Sequence, residues 1–433
     1  MRRRVTLTRR KIERISRTAT LGGLFLSFFK IGLVGFGGGI AVLAMIRNVT
    51  VRKRHWLTDS EFVEAVALAQ SLPGTSAGNS VTYIGVRLRG WRGAAAAMSG
   101  FILPSTLMMV VLAIMYKHVH DLSGTQQFFH GLNGAVVALI LVTAWRMGKN
   151  ILTHRWQWLL AVLAFLAVAL LEATVLEVVF AAGLIGIYID SFGEKQLQSW
   201  RNLRSIVARR RARIRTRMAR RRRTLRKSGE EVEEEREESL TFRSLAFFAL
   251  AMPIAAKLGL LLTLAAIFLR MGSVTFGGGL VMIPLIESEV VNTHHWLTHQ
   301  EFADATALGQ ITPGPVLITA TFVGYRVAGT LGALVATISV FLPAFLMTIA
   351  AASSLRRFRD NEQVQAFLRG IAPAVVGLLV AAALSIGRSG IHSWVGISIM
   401  LLAMFTLIRF RPNPFWVIFG AGLLRFVVGL FVA

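Results

Sequence analysis

The sequence predicts an all-α polytopic membrane protein made of two homologous halves in an inverted repeat. We expect about 12–13 transmembrane or re-entrant segments, with helices broken at Gly and Pro. Composition, apolar runs and an internal duplication carry this prediction. Hydrophobic residues make up 54% of the 433 residues, charged residues only 16%, and the mean hydropathy is +0.60. A soluble domain of this length does not have such a composition, so the chain is expected in a lipid bilayer.

The duplication is visible as motifs that return about 240 positions later in the same order. They are Phe-Gly-Gly-Gly at 36–39 and 276–279, His-Trp-Leu-Thr at 55–58 and 295–298, and Pro-Gly at 73–74 and 313–314. A register of this length indicates two copies of one fold. Apolar runs of spanning length accompany both copies, with single passes expected at 94–116, 128–148, 331–352 and 367–387, and two passes each at 156–190 and 391–431.

The distribution of charged residues predicts the segments of the chain and their orientation in the membrane. The predicted segments are a basic cytoplasmic N-terminus (1–20), a first transporter-like repeat (21–192), a charged cytoplasmic linker (193–239), a connecting transmembrane helix (240–258) and a second repeat (259–433). One extra span between the copies would insert the second copy upside down. The loop charges agree, because 47–54 carries four basic residues whereas its counterpart 287–293 carries two Glu and no basic residue.

The sequence lacks the motifs of several classes of protein function. The chain has no cysteine, no P-loop, no nucleophile elbow and no zinc-protease motif, so we expect neither an enzyme, nor a cofactor, nor a metal site. The linker stretch 201–227 holds 13 Arg and one Lys. A polybasic stretch beside a membrane span is more typical of contact with anionic lipid than of nucleic-acid binding, so the lipid bilayer is the expected partner and nucleic acid is not.

Three consecutive glycines inside an apolar run predict a broken helix, since each glycine costs about 1 kcal/mol relative to Ala. Unwound backbone at membrane depth is tolerated where it is buried in protein or lines a cavity. The helix that restarts there would direct free N–H groups at an anion. The alternative is close packing of helices through small residues. The glycines concerned are Gly37, Gly38, Gly39, Gly277, Gly278 and Gly279.

One basic residue precedes each glycine run at the same distance: Lys30 in the first half and Arg270 in the second. A charge inside the hydrocarbon costs about 2.5–3.5 kcal/mol on insertion scales, so its presence in both copies favours a role at a substrate site. Snorkelling from a helix end near the interface is the alternative.

A second break is expected where proline removes a backbone donor. The residues are Pro73 and Gly74 in the first half, and Pro313, Gly314 and Pro315 in the second. Gln70 and Gln310 lie just before these breaks, where their amides could repair the break or contact a ligand.

Glu61 and Glu301 each stand three residues after a threonine that reads as a helix N-cap, which predicts a capping box. A proton or cation relay through these glutamates, coupled to transport, is the alternative.

At F-G-G-G, W-L-T-x-x-E-F-x-x-A-x-A-L-x-Q and P-G-P the chain resembles the chromate ion transporter (CHR) family in its long two-domain form. The likeness covers 21–190 and 260–430. It implies a bacterial inner-membrane secondary transporter that exports chromate, with sulfate as a related oxyanion and with antiparallel halves; a homodimer is left open. The first half departs from the family pattern, with Thr75 in place of the second proline, and Ala44 and Arg47 where the second half has Pro284 and Glu287.

The sequence therefore predicts an oxyanion site near the midplane, formed by the glycine-run amides with Lys30 and Arg270 and oriented by Gln70 and Gln310. Three rivals stay open at this point. They are a passive anion channel, a transporter of another anion such as sulfate, and a membrane scaffold that binds partners through its linker.

Overall fold

The computed structural model describes residues 19–36, 38–70, 72–120, 122–171, 173–190, 245–275, 279–353, 362–391 and 393–432. The basic N-terminus to residue 18, the linker 193–239, and Gly37, Gly277 and Gly278 lie outside these ranges. The described residues form helices, turns and loops without a strand, which confirms the all-α prediction. The described parts of the two halves, up to Gly186 and from Leu260, belong to one compact unit.

The first half contains seven described α-helices in chain order. They are α1 (Leu21–Val34), α2 (Gly38–Arg47, continued by a π-helical turn over Asn48–Lys53), α3 (Asp59–Gln70), α4 (Ser76–Val119), α5 (Ser123–Ile151), α6 (Arg155–Leu171) and α7 (175–190). Short polar side chains start several of them: the Oγ1 of Thr20 accepts from the N–H of Gly23 at 3.0 Å, and the Oγ1 of Thr75 accepts from the N–H of Gly78 at 3.1 Å.

The described second half repeats this order. Its helices are α8 (Leu245–Val274), α9 (Met282–Glu287, between a 3₁₀ turn over Gly279–Val281 and a π-helical turn over Ser288–Thr293), α10 (His299–Ile311), α11 (Thr319–Ser353, after a 3₁₀ turn over Val316–Ile318), α12 (Glu362–Gly390), α13 (Trp394–Arg409) and α14 (Pro414–Val432). Even the π-helical turns recur at equivalent positions. The two-half repeat is confirmed.

Both predicted breaks are present. In the first half, α1 ends at Val34 and α2 begins at Gly38, so the helix restarts within the glycine run and not after it. The Pro-Gly breaks separate α3 from α4 and α10 from the 3₁₀ turn. The helices after the two Pro-Gly breaks begin differently. The side chain of Thr75 caps α4 directly, whereas its counterpart Pro315 has no side chain that can cap a helix, and a 3₁₀ turn precedes α11.

The long helices α4 and α11 each contain a further break that the sequence patterns did not reveal. Gly90 has φ +62° and Gly329 has φ +67°, and the residue before each is also non-helical. The two segments of α4 approach closely, since a Cβ on Gly85 would lie 2.5 Å from the carbonyl oxygen of Gly93. Glycine is thus used at these turns for its backbone freedom and for its small size.

Six described helices are long and apolar enough to cross a membrane, within α4, α5, α8, α11, α12 and α14. Two passes are predicted for each of the runs 156–190 and 391–431. Each run contains two helices, but of these four only α14 is among the described helices long and apolar enough to cross a membrane. Helix α8 continues from Leu245 to Val274 without a break, and its spanning stretch is Lys257–Val274. A separate connecting span over 240–258 stays a prediction.

Glycine also sets how closely α1 packs on α4, and α8 on α11. A Cβ on Gly32 would collide with the carbonyl oxygen of Phe101, and one on Gly272 would collide with that of Val340. These pairs occupy equivalent positions in the two halves. Close packing through small residues therefore occurs here, one turn before the glycine-run breaks.

Replacing Gly90 or Gly329 with Ala should destabilise the protein by about 1–3 kcal/mol, because a side chain is strained in this region of backbone space. Open space surrounds each missing Cβ, so the effect would come from the backbone alone. Thermal unfolding of detergent-solubilised protein measures it. Gly22→Ala, also without neighbours within 4 Å but in a regular helix, is the control. Equal stability of all three variants would contradict the prediction.

Candidate functional site

The two kinds of break meet across the halves through a pair of backbone hydrogen bonds. The N–H of Gly74 donates to the carbonyl of Thr275 at 2.6 Å, and the N–H of Gly314 donates to the carbonyl of Gly35 at 3.1 Å. We call these two bonds the reciprocal backbone bonds. Thr275 and Gly35 are equivalent residues that stand directly before Phe-Gly-Gly-Gly. Each Pro-Gly turn therefore holds the end of the helix that leads into the other half's glycine run.

Each turn fits against the other half only because it carries glycine. Gly74 has φ +98° and Gly314 has φ +109°, a region that side chains rarely adopt. A Cβ on Gly74 would lie 2.6 Å from the Cβ of Ala344, and one on Gly314 would collide with the Oγ of Ser105. Ala344 and Ser105 again occupy equivalent positions, each following a proline inside a long helix. Each half therefore contacts the other through equivalent residues.

The first-half break is repaired by a residue other than the predicted glutamine. The Nδ2 of Asn79 donates to the carbonyl of Pro73 at 2.7 Å and to that of Ala69 at 3.2 Å. The side chain of Gln70 is exposed. Gln310 is half-buried, and its Nε2 has no hydrogen-bond partner among the described residues. The glutamine amides are therefore available at the breaks and are not used to mend them.

The surroundings of the glycine runs differ between the halves. Open space surrounds the position where a Cβ on Gly39 would stand, close to the start of α2. A Cβ on Gly279 would lie 2.9 Å from the Cβ of Val316, directly after Pro315. Tight packing accounts for Gly279 and not for Gly39. The first-half break leaves room beside the free N–H groups that a helix start presents.

The predicted basic pair, Lys30 and Arg270, lies on exposed positions about one turn before the end of α1 and α8. Arg270 forms an ion pair with Glu289, and the same carboxylate lies 3.7 Å from the Nδ1 of His294. Position 49, the first-half counterpart of Glu289, is Val. Lys30 has no ion pair with the described residues. Among the described residues no carboxylate compensates its positive charge, whereas that of Arg270 is shared with Glu289.

Both predicted capping boxes are present. The N–H of Thr58 donates to Glu61 at 2.8 Å, and the N–H of Thr298 donates to Glu301 at 2.9 Å. Each glutamate also pairs with an arginine on the following long helix, Arg87 or Arg326. Burial alone would raise the pKa of Glu61. The hydrogen bonds from Thr58 and the positive charge of Arg87 together outweigh burial, so the pKa lies below its usual range. This arrangement favours capping; a relay role stays a prediction.

Asp304 is a residue that the motif search missed. It is 3% exposed and joins the halves, since the hydroxyl of Tyr116 and the Nδ2 of Asn133 each donate to its carboxylate at 2.8 Å. The Nε2 of Gln300 donates at 3.0 Å. The duplication gave no signal, because the first-half counterpart, Glu64, is exposed. The sequence feature that could have identified Asp304 is its position between small residues in the stretch 303–307, where an acidic side chain is unusual.

Comparison with known proteins shows which family the chain matches. The family model described as "Chromate transporter" matches residues 22–187 and 262–426. A chromate transport protein of Pseudomonas aeruginosa is 30% identical over 94% of this chain and 92% of its own length. A chromate transport protein of Cupriavidus metallidurans is 28% identical over 95% and 94%. An uncharacterized transporter of Methanocaldococcus jannaschii is 34% identical over 87% and 86%. No solved structure matches the chain at a significant level.

Substitution of Asp304 by Ala should lower stability by about 2–5 kcal/mol, because Tyr116 and Asn133 would lose a buried acceptor. Glu64→Ala changes the equivalent position of the first half, where the side chain is exposed, and should have little effect. Thermal unfolding of both variants in detergent tests the comparison. Similar midpoints for the two would refute a cross-half role for Asp304.

Proposed function

This chain belongs to the chromate transporter family, and we propose that it is a secondary active transporter that exports a tetrahedral oxyanion, chromate first and sulfate as a related substrate. The family is one of transporters and not of enzymes, and six long apolar helices make the chain a multi-pass membrane protein. The observation that carries the proposal is the reciprocal pair of backbone bonds, Gly74 to Thr275 and Gly314 to Gly35. It brings both broken helices of both halves to one interface, where transporters of this architecture bind substrate.

The chemistry at this interface suits an oxyanion. A dianion needs positive charge and N–H donors that replace its hydration shell. Lys30 has a free ammonium group among the described residues, and α2 begins beside open space at Gly39. Gln310 supplies an unpaired amide near the second-half break. We infer that the substrate lies between the glycine-run and Pro-Gly breaks, with Gln70 and Gln310 orienting it, and that Arg270 contributes after release from Glu289.

The duplicated interface also suits alternating access. Because each half holds the other through equivalent residues, rocking of one half against the other would exchange two similar arrangements. Without a nucleotide motif, the energy would come from the membrane potential, a proton gradient or a counter-anion. An inside-negative potential favours anion exit by about 2.3 kcal/mol per charge per 100 mV.

We further propose that the protein lies in a bacterial inner membrane with its N-terminus and linker in the cytoplasm. Exposed basic residues in the first half, Arg52, Lys53 and Arg54, have no basic counterparts beyond histidine in the second half, as the positive-inside rule requires for inverted halves. Large apolar side chains are exposed on the outer helices, for example Leu159 on α6 and Phe405 on α13. Lipid tails would cover these side chains.

Inside-out vesicles that contain the protein should take up labelled chromate in a saturable manner, stimulated by a counter-anion or a gradient. Lys30→Ala should reduce uptake by about tenfold or more, since it removes an unshared charge, and Lys30→Arg should restore most of it. Arg270→Ala should be milder when Glu289→Ala accompanies it, because no lone carboxylate then faces the substrate. Uptake of sulfate without uptake of chromate would keep the transport mechanism but identify sulfate as the substrate. Linear, unstimulated flux would indicate a channel, and no flux of either anion would refute the proposal.

A further inference from the structure

A cavity of about 380 Å³ with both apolar and polar walls lies outside the interface described above. Its walls come from the α6–α7 region of the first half and from α9, the turn after it, α10 and α12 of the second half. Apolar residues such as Val168 and Pro284 form part of the wall. The polar residues that line it include Glu287, Asn292, His299, Ser385, Arg388 and Ser389. Its volume falls in the range of small-molecule sites, about 300–1,000 Å³.

Glu287 is the buried charge of this cavity. It is 4% exposed, and in the described part of the chain no lysine or arginine pairs with it. The Oγ of Ser385 donates to its Oε1, and the Nδ1 of His299 lies 3.4 Å from the same oxygen. A buried carboxylate is costly unless a positive charge compensates it. His299, when it is protonated, is positioned to supply that charge.

The first half shows that this pair is a specialised version of a duplicated one. At the positions equivalent to Glu287 and His299 it has Arg47 and Asp59, whose side chains pair at 2.7 Å. The signs are therefore reversed between the halves. Arginine side chains keep their charge at all physiological pH values, whereas the charge of a histidine depends on pH in that range. Only the second-half pair can change the net charge of its surroundings in that pH range.

We propose that this second-half cavity is a proton-controlled subsite for an inorganic oxyanion. Arg388 and protonated His299 neutralise the anion, and Asn292 and Ser389 donate hydrogen bonds to it. Glu287 keeps His299 protonated and limits the positive charge of the empty site. This inference rests on the proposed transport function and adds a second binding position to it.

The pH dependence follows from the groups that line the cavity. Glu287, His299 and Arg388 are its titratable or charged residues. The hydrogen bond to Glu287 raises the pKa of His299 above its usual value, although burial opposes this effect. Since only protonated His299 is charged, anion affinity should be complete at low pH and fall as the pH rises through that raised pKa, above about 6.5.

The test is direct binding of labelled sulfate and chromate to the purified full-length protein between about pH 5 and 9. The parent should lose affinity as the pH rises. His299→Gln should remove this dependence, and Glu287→Gln should move its midpoint to lower pH because the group that raises the pKa of His299 is gone. Arg388→Gln should weaken binding about tenfold or more at every pH, and Arg388→Lys less. Asp59→Asn, at the first-half position equivalent to His299, should leave the profile unchanged.

Thermal unfolding establishes that each variant is folded before its affinity is compared. A parent-like pH profile in His299→Gln, or parent-like affinity in Arg388→Gln, would overturn the inference. If vesicles transport an oxyanion while these variants bind as the parent does, the proposed function stands and the subsite fails. If vesicles transport none but the purified parent shows the pH-dependent binding, the subsite stands and the proposed function fails. Absence of binding by the parent would overturn the subsite.

Discussion

The two reciprocal backbone bonds make each half of this protein necessary for the backbone pairing of the other. A Pro-Gly turn frees backbone N–H and carbonyl groups, and each such group that is buried without a partner is costly. The N–H of each turn glycine is satisfied by the other half, at Thr275 or Gly35. Neither half can therefore complete its own backbone pairing alone. The close approach of each turn glycine to the other half accompanies this exchange in both copies.

Around that shared backbone the two halves have diverged in charge. Lys30 is unpaired among the described residues, but its counterpart Arg270 pairs with Glu289. The Arg47–Asp59 pair becomes Glu287–His299 with the signs reversed. Asp304 is buried against the first half, but its counterpart Glu64 is exposed. Equivalent helices thus present different electrostatics, so that one half can carry a fixed charge where the other carries a titratable one.

Many features near the breaks were predictable because they depend on local chemistry. Proline lacks a donor, and a glycine run weakens a helix wherever it occurs, so the ends of α1, α3 and α10 could be placed from sequence. The capping boxes at Thr58 and Thr298 depend on residues three apart. Gly90 and Gly329 were not recognised as chain breaks, since an isolated glycine in an apolar helix looks the same whether it packs or turns.

The membrane-embedded all-α class, the two-fold duplication, the family and the positions of the main breaks could all be predicted from the sequence. These properties are written in composition, in repeated motifs and in residues close together along the chain. Packing was needed to show that each Pro-Gly turn pairs with the opposite half and that Glu287, His299 and Arg388 share a cavity, because the cross-half partners lie far apart along the chain. It was also needed to show that Asn79 and not Gln70 repairs a break: the carbonyls that Asn79 reaches are 6 and 10 residues earlier, but the folded path of the turn selects which amide contacts them.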